Sequence, residues 1–224
     1  MNIQERLTAF AMLGAGWVMW LLVILSVIGL AIVLERSYYL FASRDNVAKL
    51  KADLRRLLGK GDVDGAQKRL EQSKSFEAKI AHAGLTSAED GPEAAEDRMT
   101  GEAQLAKLNM ERSLAFLGTV GNNAPFVGLL GTVIGIIRAF AALDESQGQV
   151  SEGLMTEIGE ALVATAIGIM VALPAVAFFN IFQRIIKARV GRGDALGKDV
   201  LAWLRGRSGD KQLTSGAAEP EAAE

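Results

Sequence analysis

The sequence predicts an all-α integral membrane protein: three transmembrane helices, with the second and third extended into the cytoplasm, plus a helical cytoplasmic domain. Three observations lead there. Uncharged runs occupy Leu7–Leu34, Ser113–Ile137 and Ala161–Gln183, and about 20 apolar residues suffice for a helix to span a bilayer. Elsewhere apolar residues recur at helical spacing, and no strand-like alternation stands out. Finally, the net charge of −2 over 224 residues conceals a sharp segregation of acidic and basic groups. Such segregation is a topology signal and gives no support to nucleic-acid binding. The absence of cysteine rules out disulfides, thiol chemistry and cysteine metal sites.

The first predicted element, residues 1–14, is an amphipathic helix lying on the outer surface. Ile3, Leu7 and Phe10 recur at helical spacing beside Gln4, Glu5 and Thr8, the pattern of an interfacial helix; the alternative is a frayed first turn of the span that follows. The start lacks a short apolar region with a small-residue cleavage site, so the run reads as a retained span. The first transmembrane helix covers 15–36, with Trp17 and Trp20 suited to its outer interface and Tyr38 and Tyr39 to its inner one.

A cytoplasmic helical domain covers 37–112. Val47, Leu50, Leu54, Leu57 and Leu58 form an apolar stripe among charged residues, Gly59 and Gly61 end it, and Val63–Leu70 begins another helix. The stretch SAEDGPEAAED reads as a loop, with Pro92 in the first turn of the next helix. No proline intervenes from Glu93 to Leu117, which predicts a helix running straight into the second span, 113–141. An acidic periplasmic hairpin at 142–159, the third span at 160–186 and a cytoplasmic helix at 187–207 complete the order. Gly191 and Gly193 mark an expected interruption of that last helix. The tail, 208–224, is rich in Gly, Ala, Ser and Glu and is expected to be disordered.

Orientation follows from the basic residues. Asp144, Glu145, Glu152, Glu157 and Glu160 share their segment with no Lys or Arg. Arg36, Arg44, Lys49, Lys51, Arg55 and Arg56 crowd the exit of the first span, and Arg184, Lys187, Arg189 and Arg192 that of the third. Cytoplasmic flanks collect Lys and Arg, which puts the N-terminus and hairpin in the periplasm and the C-terminus in the cytoplasm. Both basic clusters read most simply as topology signals and a solvated face; the alternative, an anionic-lipid role, is not needed to explain them.

The chemistry-bearing candidates lie in the second and third spans. Ala161, Thr165, Gly168, Ala172 and Ala175 share one helix face, and Gly121, Pro125, Gly128, Thr132, Gly135 and Ala139 share another. Small residues let helix backbones approach closely, and a hydroxyl within such a stripe faces protein or water. Two readings stand: the threonines line a polar pathway, or they bond to carbonyls of their own helices while the small residues only pack. Glu160 is either a solvated boundary carboxylate or a buried one facing a pathway. Arg138 is expected to snorkel to the outer interface. His82, the single histidine, has no imidazole or thiol partner for a metal. No phosphate-cradling motif, catalytic triad or carboxylate pair supports an enzyme, and no cofactor is called for.

The segment APFVGLLGTVIGIIRAF (Ala124–Phe140), followed by EIGEALVATAIGIMVALPAVAFFN (Glu157–Asn180), resembles the signature region of the ExbB/TolQ/MotA family, ExbB and TolQ above all. The resemblance implies a homopentamer in the cell inner membrane around an ExbD- or TolR-like single-span partner that supplies an intramembrane aspartate. It implies a proton-driven motor acting on a TonB- or TolA-like envelope-spanning protein, among membrane lipid and with no nucleic acid. The family's pore-facing threonines correspond to Thr132 and Thr165, its acidic residue to Glu160 and its helix-three proline to Pro174. Its pattern has small or neutral polar residues where this chain carries Arg138, which bears on the electrostatics of the outer mouth. ExbB-like energising of TonB-dependent transport is the expected role. The alternatives are TolQ-like envelope maintenance, a gliding or motility motor, and a non-conducting scaffold.

Overall fold

A computed structural model describes residue 14 and residues 16–145 and 152–216. Among them are seven helices and no strand: α1 (Gly16–Ala42), α2 (Val47–Gly59), α3 (Val63–Glu71), α4 (Phe76–Thr86), α5 (Pro92–Glu111), α6 (Leu114–Glu145) and α7 (Glu152–Gly216). α1, α6 and α7 each contain a stretch long and apolar enough to cross a membrane. The chain divides into two compact units, one of Met1–Glu35 with Ser113–Phe182, the other of Arg36–Arg112 with Gln183–Glu224.

In the first unit many large apolar side chains point outward, although Val18, Leu22, Leu117 and Ile134 are buried. Trp20, Val27, Leu34, Phe126, Phe140, Leu162, Met170 and Leu173 are exposed, while Ala124, Ala161, Ala164 and Ala172 are buried. A water-soluble domain would bury the large residues. Here small residues supply much of the interior and many large ones lie outside, as in helices that pack tightly in lipid.

The second unit has the opposite arrangement, an apolar core under a charged surface. Leu50, Leu54 and Leu58 from α2 meet Leu70 of α3, Ile80 and Leu85 of α4, Met99 of α5 and Leu196, Val200 and Leu204 of α7. Capping sets where the short helices start. The side chains of Asn46, Asp62 and Ser75 accept hydrogen bonds from the amides of Lys49, Gly65 and Ala78, each occupying a donor that a helix start leaves open. Gly61 turns the chain between α2 and α3 at φ +76°, a left-handed conformation that glycine adopts without cost.

Several expectations need correction. The loop before α5 is only Ser87–Gly91, because Pro92 begins the helix and Glu93–Asp97 belong to it. Helix α5 does not run into α6: Arg112 is extended and Ser113 has φ +65°, so the rod breaks there without a proline. Helix α7, expected to be interrupted around Gly191 and Gly193, passes both without a break. Gly193 is there for packing, since a Cβ at that position would collide with Ile80 Cδ1, and one at Gly197 would lie 3.0 Å from Met99 Sδ. Helices α6 and α7 also consume both ends of the expected hairpin, leaving 146–151, outside the described residues. The expected disordered tail is helical as far as Gly216, and 217–224 lie outside the described residues, as does the expected helix at 1–14 except for Gly14.

The basic clusters are not simply a solvated face either. Arg189 and Arg36 are 4% and 5% exposed. Arg189 donates to the Leu40 carbonyl at 2.8 Å and to Ser43 Oγ at 2.8 Å, satisfying carbonyl oxygen at the end of α1, where a cation is favoured. Arg36 donates to the Asn109 carbonyl in the last turn of α5 at 2.9 Å. Lys51 and Arg55 both pair with Asp199, at 3.0 and 2.8 Å.

Candidate functional site: the threonine pair between α6 and α7

Glycine and alanine bring α6 and α7 of the first unit nearly into backbone contact. A Cβ added to Gly168 would lie 2.7 Å from the Ala124 carbonyl oxygen and 3.0 Å from Gly128 Cα. One added to Gly128 would lie 2.8 Å from the Ala164 oxygen and 3.0 Å from Thr165 Cα. Toward one end Gly121 faces Val176, and toward the other Gly135 faces Ala161. Ala161, Ala172, Ala175 and Ala139 are buried. Gly131, Ala124 and Ala164 also belong to this interface and were not picked out from the sequence: a Cβ on Gly131 would lie 2.6 Å from Ala164 Cβ and 3.3 Å from Val18 Cγ1 of α1. Their signal was present, since each stands three or four residues from a stripe member. The two prolines sit differently. Pro125 is half-buried inside α6. Pro174 is exposed and outside the α6–α7 stripe, lining an apolar groove of about 190 Å³ with Gly29, Met170 and Phe178.

The two hydroxyls meet within this contact. Thr165 Oγ1 donates across to α6, with the Gly128 carbonyl at 3.2 Å and Thr132 Oγ1 at 3.4 Å. Thr132 Oγ1 donates to the Leu129 carbonyl of its own helix at 2.6 Å. The own-helix reading therefore holds for Thr132, whereas Thr165 bonds across the interface. The single Thr165 hydroxyl proton is shared between the Gly128 carbonyl, the nearer acceptor, and Thr132 Oγ1, while Thr132 directs its own proton to Leu129. Both side chains are half-buried, so each remains open on one side to a further polar partner or to water. Close backbone approach is what makes this possible, because larger side chains at 128 and 168 would hold the hydroxyls apart.

Glu160 is exposed and does not enter the α6–α7 contact. The carboxylate that does is Glu157, one helical turn before Ala161. Its Oε1 lies 2.7 Å from Arg138 Nη2. The partner of Arg138 is thus a carboxylate of the acidic segment that precedes the third span. The Arg138 guanidinium pairs across the helices and lies under Gly14, whose φ is +90° and where a Cβ would stand 2.7 Å from Nη1. Extending the stripe Ala161, Thr165, Gly168 back by four residues reaches Glu157, a signal the sequence carried. His82 lies in the second unit, 3.4 Å from Glu71 Oε1, and among the described residues no group of three His, Cys, Asp or Glu is placed to hold a metal.

This arrangement can hold water and pass hydrogen bonds, but it cannot by itself bind and release a proton near neutral pH. Hydroxyls do not titrate there, and no Asp, Glu, Lys, Arg or His stands between Leu114 and Ile137 or between Ala161 and Gln183.

Comparison with known proteins bears on the same segment. A model described as the MotA/TolQ/ExbB proton channel family matches residues 72–194. The chain is similar to the biopolymer transport protein ExbB of Salmonella typhimurium, 38% identical over 116 residues, which is 51% of this chain and 47% of that protein. It is similar to the Tol-Pal system protein TolQ of Pseudomonas aeruginosa, 45% identical over 83 residues, 37% of this chain and 36% of that protein. It is also similar to the biopolymer transport protein ExbB of Xanthomonas campestris, 38% identical over 91 residues, 41% of this chain and 36% of that protein. The chain thus matches about a third to a half of the length of these curated relatives.

Proposed function

The chain belongs to the MotA/TolQ/ExbB proton channel family, and from that premise we propose that it is the proton-channel subunit of an inner-membrane motor that turns proton-motive force into work on an envelope-spanning partner. The observation that carries the reading is the hydrogen bond from Thr165 Oγ1 to Thr132 Oγ1, at 3.4 Å between two helices whose facing surfaces are otherwise small and apolar. A hydroxyl pair left half-open in such a setting needs a polar partner, and neither helix run contains a group that titrates. The proton-carrying carboxylate comes from a second protein, a single-span ExbD- or TolR-like helix bearing an aspartate.

Several copies of this chain, five by family likeness, surround that helix. Protonation of the partner carboxylate removes its charge and weakens its hold on the threonine-lined wall; release restores it. Each proton falling through 100 mV supplies about 2.3 kcal/mol, so a working stroke draws on several. Glu160, exposed at the start of the third span, is available to the protons' entry or exit side. With the N-terminus periplasmic, that side is the periplasm.

The client we favour is TonB-type energised transport, as in the relatives named ExbB. The likeness to TolQ favours Tol-type envelope maintenance as the second reading. The test is Thr165→Val, alone and with Thr132→Val. Valine keeps nearly the same volume and removes the hydroxyl, so oligomer and partner binding should survive while proton flux in proteoliposomes is lost. Thr165→Ser should retain substantial flux. Wild-type flux in the double variant would make the threonines packing residues, as in a non-conducting scaffold.

A further inference from the structure

Four arginines converge where the charged part of α7 begins. Arg44, Arg184, Arg189 and Arg192, together with Asp45, Glu77, Ile185 and Ala188, line a cavity of about 420 Å³ in the second unit. Three of the charges at its wall are already engaged in the fold. Arg189 is bound to Leu40 and Ser43; burial draws its pKa below the ordinary arginine value, and the buried Glu77 carboxylate opposes that shift as its counter-charge. Asp45 accepts from Ser73 Oγ at 2.6 Å and lies 3.8 Å from Arg69. The other three arginines are exposed. Among the described residues none of them has an ion-pair partner.

Their charges act on a common point. Arg44 and Arg192 each add to the lowering of the Arg189 pKa, and Arg44 is held by its guanidinium stacking 4.2 Å over the Phe41 ring. Like charges gathered around a concavity repel one another and concentrate anions. The guanidinium fork matches the oxygens of a phosphate in a way that a lysine does not. The uncharged run of α7 ends at Gln183, and Arg184 follows it directly. The cavity thus lies at the level where an apolar helix gives way to headgroups, the place where basic pockets take anionic lipid.

We propose that this cavity binds a phosphate anion, supplied by the headgroup of an anionic phospholipid or by soluble phosphate. The proposal goes beyond the proton-channel reading and does not depend on it. To test it, the full chain purified in detergent is titrated with palmitoyl-oleoyl phosphatidylglycerol and, separately, with palmitoyl-oleoyl phosphatidylcholine, and bound lipid is counted by native mass spectrometry. In a second arm, delipidated protein is melted in sodium phosphate and in sodium chloride at equal ionic strength.

R44Q/R184Q/R192Q should weaken phosphatidylglycerol binding roughly fivefold per arginine, on the order of a hundredfold in all, and leave phosphatidylcholine binding unchanged. K60Q/K68Q/K74Q, which removes three exposed charges of the same unit outside the cavity, should leave both unchanged. Phosphate-specific protection that the arginine triple variant abolishes supports the site with a soluble source. The single variants R44Q and R192Q, each about fivefold, decide the matter if the triple variant does not assemble. Wild-type retention of phosphatidylglycerol in the arginine variants, or an equal loss in the lysine triple variant, overturns the proposal.

Discussion

Gly168→Ala adds one methyl group at the point where α6 and α7 come closest. The new Cβ would lie 2.7 Å from the Ala124 carbonyl oxygen, 3.0 Å from Gly128 Cα and 3.2 Å from Gly128 N. All three are backbone atoms, so no rotamer change can relieve the contact. An ordinary carbon–oxygen contact of about 3.3–3.6 Å is reached only if the helices separate locally by about 0.6–0.9 Å. Overpacking of this kind costs about 1–3 kcal/mol, against a gain of about 1 kcal/mol from replacing glycine by alanine in a helix. A net loss of up to about 2 kcal/mol is expected, read as a lowered Tm in detergent. The same displacement stretches the 3.4 Å contact between Thr165 and Thr132, three residues away in α7, beyond hydrogen-bonding reach. Proton flux in proteoliposomes with the partner should therefore fall although no polar atom has been removed. Gly191→Ala is the matched control. Nothing lies within 4 Å of its added Cβ, and it should raise stability by up to about 1 kcal/mol. Unchanged Tm and full flux in Gly168→Ala would refute the close packing from which the site is built. Lowered Tm with full flux would spare the packing and remove the threonines from the pathway.

Three further outcomes are expected. Arg138→Glu or Glu157→Arg, breaking a pair whose side chains are 32% and 19% exposed, should each cost about 1–3 kcal/mol, between the exposed and buried limits. The double reversal should recover most of it, and a double-mutant cycle with no coupling would show that the pair does not act together. Hydrogen bonds from Ser73 and the Asn46 amide hold the Asp45 carboxyl below its ordinary value of 3.8. Its contribution is therefore full above that value and is lost as the pH falls through the lower folded value, so the Tm gap between wild type and Asp45→Asn should close only under strongly acidic conditions; a gap that closes near pH 6 would contradict the assignment. For topology, a cysteine at exposed Lys74 should react with an impermeant reagent only after the membrane is opened, and one at Gln147 in intact cells. Ser73 is 7% exposed and hydrogen-bonded to Asp45, which makes it a poor position for that probe. Labelling of Lys74→Cys in intact cells would reverse the orientation.

The apolar runs and the small-residue stripes were legible because membrane helices state their length and their packing face directly in composition. Leu50, Leu54 and Leu58 likewise announced α2. What escaped was interaction over long sequence separation. Nothing local distinguishes Arg189, which satisfies the end of α1, from Arg184, which is exposed, since both read as basic residues after a span. Gly193 looked like a helix break because its partner, Ile80, lies more than a hundred residues away. The break at Ser113 has no proline or glycine to signal it. In the candidate site, both threonines were identified from their stripes. The direction of their bonding depends on how closely Gly128 and Gly168 bring the two helices together, and a helix-by-helix reading cannot supply that.

The Arg189–Leu40 hydrogen bond joins groups 149 residues apart, and that interval is also a time. Leu40 leaves the ribosome long before Arg189 is made; at about 5–20 residues per second, roughly 7–30 seconds separate them. Throughout that period the terminal carbonyls of α1 lack their guanidinium donor and must be met by water, headgroups or the insertion machinery. The first helix can therefore be inserted early but reaches its final hydrogen bonding only when α7 has been translated past its uncharged run. A chain stalled or truncated before Arg189 would present to the cell's quality control a helix end that its own residues have not yet closed.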